Sequence, residues 1–103
     1  MRFLITSKNK FPMPPEAVPG VLDAMIAWAK KYTGNGKIQD IWSCAGLQAG
    51  GGIANVNSLE ELDAIMTEFP LGPFSETEIY PLVDLNDALQ RMKQVAQAMG
   101  GRG

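Results

Sequence analysis

The sequence predicts an α+β domain with element order βαββαβ plus a C-terminal helix, its strands pairing into a four-stranded antiparallel sheet. Three observations lead there. Apolar residues recur at helical spacing in three segments, short β-rich runs lie between them, and proline or glycine clusters mark the joints. The 103 residues, 46% of them hydrophobic, suit one core rather than two. A single domain is expected over residues 1–99, with 100–103 as a flexible tail.

Met1 to about Lys8 reads as the first strand, with Phe3, Leu4 and Ile5 as its apolar run. Phe11-Pro12-Met13-Pro14-Pro15 stops it, because proline fixes φ and cannot donate to a ladder. From about Pro15 to Tyr32, Val18, Leu22, Met25, Ala29 and Tyr32 share one helical face, and Val21 and Trp28 widen it. Pro19 is tolerable there if it lies in the first turn. Gly34-Asn35-Gly36 ends the helix.

Ile38 to Ala45 and Ile53 to Asn57 read as two further strands joined by a glycine-rich hairpin loop over 46–52. The three consecutive glycines are not a phosphate loop. Neither G-x-G-x-x-G nor a terminal Lys-Ser/Thr is present, and a strand rather than a helix follows. Ser58-Leu59-Glu60-Glu61 has the form of a capping box and predicts a second helix with Leu62, Ile65, Met66 and Phe69 as its buried stripe. The acidic residues of its first turn are explained by the helix dipole and solvation. After Pro70-Leu71-Gly72-Pro73-Phe74, Thr77 to Val83 reads as the fourth strand. A third helix from about Asn86 carries Leu89, Met92, Val95, Ala96 and Met99 on one face.

This order is the split-βαβ, ferredoxin-like arrangement, with both crossover helices on one face of the sheet and the other face bare. A bare apolar face on so small a domain is an association surface. Alternation assigns the side chains to the two faces. Phe3, Ile5, Ala54, Val56, Ile79, Pro81 and Val83 are expected under the helices. Leu4, Thr6, Ile53, Asn55, Asn57, Glu78, Tyr80 and Leu82 are then left on the bare face, with Asp40, Trp42 and Cys44 placed beside them.

Composition excludes several function classes. Nine Lys and Arg against eleven Asp and Glu give a net charge of -2, which argues against nucleic-acid binding. No apolar run reaches the length of a membrane span and the N-terminus lacks the pattern of a signal peptide, so no membrane partner and a cytoplasmic location are expected. One cysteine, Cys44, gives no intrachain disulfide and no thiolate cage, and suits a small buried apolar residue. The chain has no histidine, which removes the commonest general base and metal ligand. Neither metal nor cofactor is expected, and chemistry must use carboxylates, tyrosine, amides or backbone groups.

The residues Ile41-Trp42, Ala45-Gly46, Val56, Ser58, Glu60 and Leu62, followed by Pro70-Leu71, Pro73, Glu78 and Leu82, stand in ungapped register with a known pattern, as do Phe3, Lys10 and Pro12. On these, about residues 1–84 resemble the muconolactone isomerase family. The resemblance implies a dimeric α/β barrel assembled into a homodimer or larger homo-oligomer. It also implies cofactor-free isomerisation of a lactone carboxylate by proton transfer between carbons. In that family basic residues stand at the places of Leu4, Thr6, Gln39, Asp40 and Ser43, so this chain lacks the charge that would meet an anionic substrate. Asp40 there adds repulsion. A neutral or phenolic small molecule is the expected substrate.

The bare face then predicts a pocket walled by Trp42 and Tyr80, with Leu4, Ile53 and Leu82 as apolar lining and Thr6, Asp40, Asn55 and Glu78 as its polar groups. Glu78 is the candidate general base, its pKa raised by desolvation, with Asp40 as the rival base. Tyr80 and Asn55 are candidate donors to a developing enolate or phenolate. The structural alternatives are an edge-strand charge or intersubunit ion pair for Glu78, a satisfied amide for Asn55 and core packing for Trp42. Three functions fit: an isomerase or cyclase on a small oxygenated ring, in aromatic catabolism or natural-product biosynthesis; a cofactorless oxygenase of a phenolic or polyketide substrate; or a non-catalytic small-molecule binder.

Overall fold

The computed structural model describes residues 1–100. Strand β1 (Arg2–Asn9) leads through a 3-10 turn at Pro15–Ala17 into helix α1 (Val18–Gly34). Strands β2 (Ile38–Ser43) and β3 (Ala49–Asn55) follow, then α2 (Leu59–Thr67), β4 (Ser75–Leu82) and α3 (Leu85–Gly100). The sheet order is β2-β3-β1-β4, with every neighbouring pair antiparallel. Pro19 sits in the first turn of α1, where an amide has no intrahelical partner to lose. The expected flexible tail falls on 101–103, outside the described residues, and on Gly100, the last residue of α3.

Several strand boundaries differ from expectation: β4 spans Ser75–Leu82 rather than 77–83, β3 ends at Asn55 rather than Asn57, and two further shifts bear on the site. β3 begins at Ala49, so Gly50, Gly51 and Gly52 are strand rather than hairpin loop. β2 ends at Ser43, which leaves Cys44 in the turn. The cause is close strand approach. A Cβ at Gly50 would stand 2.6 Å from the Trp42 carbonyl oxygen, and one at Gly51 2.8 Å from the Ile5 carbonyl oxygen and 2.7 Å from the Trp42 indole. Only glycine fits, so composition reads as loop where pairing makes strand. Gly51→Ala is expected to lower stability by about 1–3 kcal/mol. An unchanged urea midpoint would refute that reading of the close approach.

The core lies between the sheet and the two crossover helices. Phe3, Ile5, Ile38, Ala54 and Val56 face Trp28 and Tyr32 of α1, and Leu62, Ile65 and Phe69 from α2 and its exit. The Trp28 indole N–H donates to the Ile65 carbonyl at 3.1 Å, and the ring packs against Phe69 and Tyr32 at centroid distances of 5.0 and 5.5 Å. This one side chain ties α1 to α2.

The ends of α1 and α2 are also joined. The Tyr32 hydroxyl donates to the Glu68 carboxylate, and the Lys31 ammonium reaches the same oxygen at 3.1 Å. The tyrosine hydrogen bond, then the lysine, holds the Glu68 carboxyl below its ordinary value of 4.5. A depressed carboxyl contributes stability above its unfolded pKa and loses it as pH falls through the folded one. Stability is therefore expected to decline below pH 4.5, and Glu68→Gln to flatten that decline relative to the parent chain. Acid titration followed by circular dichroism checks this; parallel curves would remove Glu68 from the account.

Ser58 caps α2 as expected, its hydroxyl accepting the Glu61 amide at 3.1 Å. The Glu61 carboxylate does not complete the box. It pairs with the Lys37 ammonium at 2.7 Å, because an opposite charge from the entry to β2 lies within reach. Asp84 caps α3, accepting the Asp87 amide at 3.1 Å, so that helix begins one residue earlier than expected.

No residue of α3 is buried, and Leu85, Leu89, Met92, Val95 and Met99 form an exposed apolar stripe. The radius of gyration is 18.2 Å, against about 13 Å for a compact chain of this size. The third helix thus stands away from the sheet and core. No helix among the described residues is long and apolar enough to cross a membrane.

Candidate functional site

The antiparallel register stacks side chains in rows across the sheet. On the helix-bearing face one row reads Ile41, Gly52, Ile5, Ile79, and the next Ser43, Gly50, Ser7, Thr77. Glycine occupies the β3 position in both rows, so the centre of the sheet carries no side chain there. Above this floor α1 begins, with Val18, Leu22 and Met25 on its lower side. The missing side chains leave a cavity of about 680 Å³ between sheet and helix.

Its walls are mostly apolar. Trp28, Ile38, Met66, Phe69 and Leu71 line it from the core, and the solvent-exposed Phe11, Pro12 and Leu47 line it together with Met13. The polar side chains lining it are Ser7, Asn9, Ser43 and Gln48, and no Asp, Glu, Lys or Arg joins them. The segments near Asn9 are held by hydrogen bonds. The Asn9 amide donates to the Gln48 carbonyl at 2.8 Å, the Ser75 hydroxyl donates to Asn9 Oδ1 at 3.2 Å, and the Lys10 and Phe11 amides share the Phe74 carbonyl at 3.0 and 3.1 Å.

The residues expected to form the site lie in rows of the other register. Asp40, Ile53, Leu4 and Tyr80 make one row, Trp42, Gly51, Thr6 and Glu78 the next, and Asn55, Arg2 and Leu82 a third. All nine therefore share the sheet face that bears no helix. A bulge in β2 puts Asp40 and Trp42 there: Ile38 opposes Ala54 but Asp40 opposes Ile53, so Gln39 is one residue extra. Without it, Asp40 would share the buried face of Ile38. Arg2, which the sequence reading did not single out, brings a cation to the same face.

On that face the Tyr80 hydroxyl donates to the Glu78 carboxylate, and this bond holds the tyrosine pKa above its ordinary value of 10.0. Both residues are exposed, Tyr80 to 46%. The face is open to solvent in the single chain. Of the nine expected residues only Trp42 also lines the cavity. Ile79 and Pro81 oppose Ile5 and Phe3 on the helix side as expected, yet both are exposed because β4 is an edge strand. Val83, expected under the helices, lies beyond the end of β4 and is exposed.

The sequence reading did not single out Ser7, Asn9 or Gln48, and named Ser43 only as a position where the family is basic. Ser7 and Asn9 continue the odd-numbered face of Phe3 and Ile5, so alternation carried through Asn9 could have found them. Ser43 and Gln48 depend on the bulge and on glycines that read as loop.

The family profile and a sequence relative point to one family. The profile of the family described as muconolactone delta-isomerase matches residues 1–88. A muconolactone delta-isomerase of Rhodococcus opacus is 35% identical over 74 residues, covering 68% of this chain and 80% of that protein. The crystal structure of a muconolactone isomerase superposes with a TM-score of 0.75 at 24% identity, over 82% of this chain and 90% of that one. A 5-chloro-2-hydroxyhydroquinone dehydrochlorinase from Burkholderia phenoliruptrix, solved with 2,5-dihydroxybenzoquinone, has the same fold at a TM-score of 0.58 and 18% identity, over 84% of this chain and 98% of that one. By the profile match and the 35% identity, the chain belongs to the muconolactone delta-isomerase family.

Proposed function

We propose that the chain is a cofactor-independent isomerase or cyclase that moves a proton on a small, uncharged oxygenated ring bound in the cavity between the sheet and α1. The observation that carries this is the cavity itself: about 680 Å³, apolar, with four neutral polar side chains and no charged one. An anionic lactone carboxylate would be desolvated there without a cation to meet it, which is unfavourable. A neutral enolisable ketone or a phenol meets no such penalty. Hydroxyl and amide donors from Ser7, Asn9, Ser43 and Gln48 stabilise the oxygen on which charge develops, while water at the open end takes the proton from one carbon and returns one to the other carbon of the enolate. The substrate differs from that of the muconolactone isomerases, and the second copy expected of the family pairs through the bare sheet face.

A second reading has its own observation, the hydrogen bond from Tyr80 to Glu78. Here Glu78 is the base, Asp40 its rival, and Tyr80 and Asn55 are the donors, with Thr6, Trp42, Ile53, Leu4 and Leu82 walling a chamber that a second copy closes. The sheet separates this chamber from the cavity, so one experiment distinguishes them. A bicyclic ring ketone such as 2-tetralone is incubated with the protein in D2O, and deuterium entry beside the carbonyl is followed by NMR. The first reading expects enzyme-dependent exchange that survives Glu78→Gln and is lost in Leu22→Trp. Loss in Glu78→Gln with retention in Leu22→Trp would reverse the choice. Oxygen uptake with a phenol would favour an oxygenase, and binding without either reaction a non-catalytic carrier.

A further inference from the structure

The floor of the cavity has a polarity direction that the cavity's overall composition hides. Along β1 the helix-facing residues run Phe3, Ile5, Ser7, Asn9, and along β2 they run Ile38, Ile41, Ser43. The change from apolar to hydroxyl occurs at the same row on both strands. Ser7 and Ser43 stand on either side of Gly50, which contributes no side chain. Neighbouring strands are about 4.8 Å apart, so the two serine backbones are about 10 Å apart across an empty position.

That gap is the width of one ring substituent flanked by two hydroxyls. One row away, Ile5, Gly52 and Ile41 repeat the arrangement without polar atoms. Leu22 and Met25 of α1 line the same cavity and supply apolar surface for a flat ring. The Ser43 hydroxyl lies 3.5 Å from the Ala49 carbonyl, a long and weak bond that a ligand oxygen can displace. Ser7 is half-buried, so a ligand oxygen beside it exchanges few water contacts.

Resting on the cavity reading above, we infer that Ser7 and Ser43 are the specificity-determining pair. They flank Gly50 to bind a neutral hydroxyl or carbonyl on one edge of a flat, fused or substituted ring, whose apolar edge lies over Gly52 between Ile5 and Ile41. The substrate class this selects is a phenol or ring ketone with oxygen on one edge. The pair prefers these to the bare hydrocarbon, which forgoes hydrogen bonds to the hydroxyls, and rejects the carboxylate, which meets no cation.

Three probes of one shape test this: naphthalene, 2-naphthol and 2-naphthoate, titrated into the full chain with protein methyl NMR as the readout. The wild type is expected to bind 2-naphthol about tenfold more tightly than naphthalene, one charge-free hydrogen-bond pair's worth, and 2-naphthoate more weakly than 2-naphthol. The double variant Ser7→Ala/Ser43→Ala is expected to bring 2-naphthol to the affinity of naphthalene and leave naphthalene unchanged. Equal affinities for naphthol and naphthalene in the wild type, retention of the preference in the double variant, or tightest binding of the naphthoate would each overturn the inference. Leu22→Trp separates this from the parent reading. If it abolishes naphthalene binding while the serine changes do nothing, the cavity stands and the serine pair falls; if it leaves all binding intact, or no probe binds the wild type, the cavity reading falls as well.

Discussion

Trp28→Ala is expected to destabilise the chain by about 3–5 kcal/mol, the usual cost of deleting a large buried aromatic side chain. Domains of this size have about 5–15 kcal/mol in all, so the variant should lose much of its stability. The reason is specific to the position. Trp28 is 8% exposed, touches Tyr32 and Phe69, and supplies the hydrogen bond to the Ile65 carbonyl that joins α1 to α2. Deletion leaves a void on the core side of the cavity and an unpaired buried carbonyl. Trp28→Phe keeps most of the packing and loses only the N–H, so it should cost less. Urea unfolding followed by circular dichroism measures both; a loss below about 1 kcal/mol for Trp28→Ala would show that α2 is held by other contacts.

Leu22→Trp should have the largest effect on function with the smallest on fold. Leu22 lines the cavity and is not part of the core cluster, so the larger side chain enters cavity space rather than packed core, and the core is not overpacked. Turned inward, the indole occupies the space above Gly50 and Gly52 that the ligand needs. Binding and deuterium exchange are expected to fall to background, with the unfolding midpoint close to that of the parent. Retained exchange in a stably folded Leu22→Trp would place the chemistry elsewhere, on the face of Glu78 and Tyr80.

Fold and site were not equally legible. The helices followed from periodicity because α1 and α2 each bury one stripe, and the face assignment of β1 followed from alternation because Phe3 and Ile5 are core. β3 was shifted because its defining feature is a lack of side chains: Gly50 to Gly52 exist for close approach to β2 and β1, which no local signal encodes. The bulge at Gln39 changes which face Asp40 meets and is likewise a pairing property.

The cavity was less legible for a related reason. Charged and aromatic residues draw attention to Glu78, Tyr80 and Asp40, whereas a cavity is made by what is absent. Two glycines and a helix lifted above them produce it, and its polar groups are the least conspicuous residue types. The apolar stripe of α3 was legible as a helix face, since it repeats at helical spacing from Leu89 to Met99.

The central claim is that the ligand lies between the sheet and α1 rather than on the bare face. Side-chain methyl NMR during titration with 2-naphthol tests it most directly, because the two faces carry different methyl groups. A ligand between sheet and α1 shifts Ile5, Leu22, Met25 and Ile41 and leaves Leu4, Ile53 and Leu82 unmoved. Shifts confined to Leu4, Ile53 and Leu82 would contradict it.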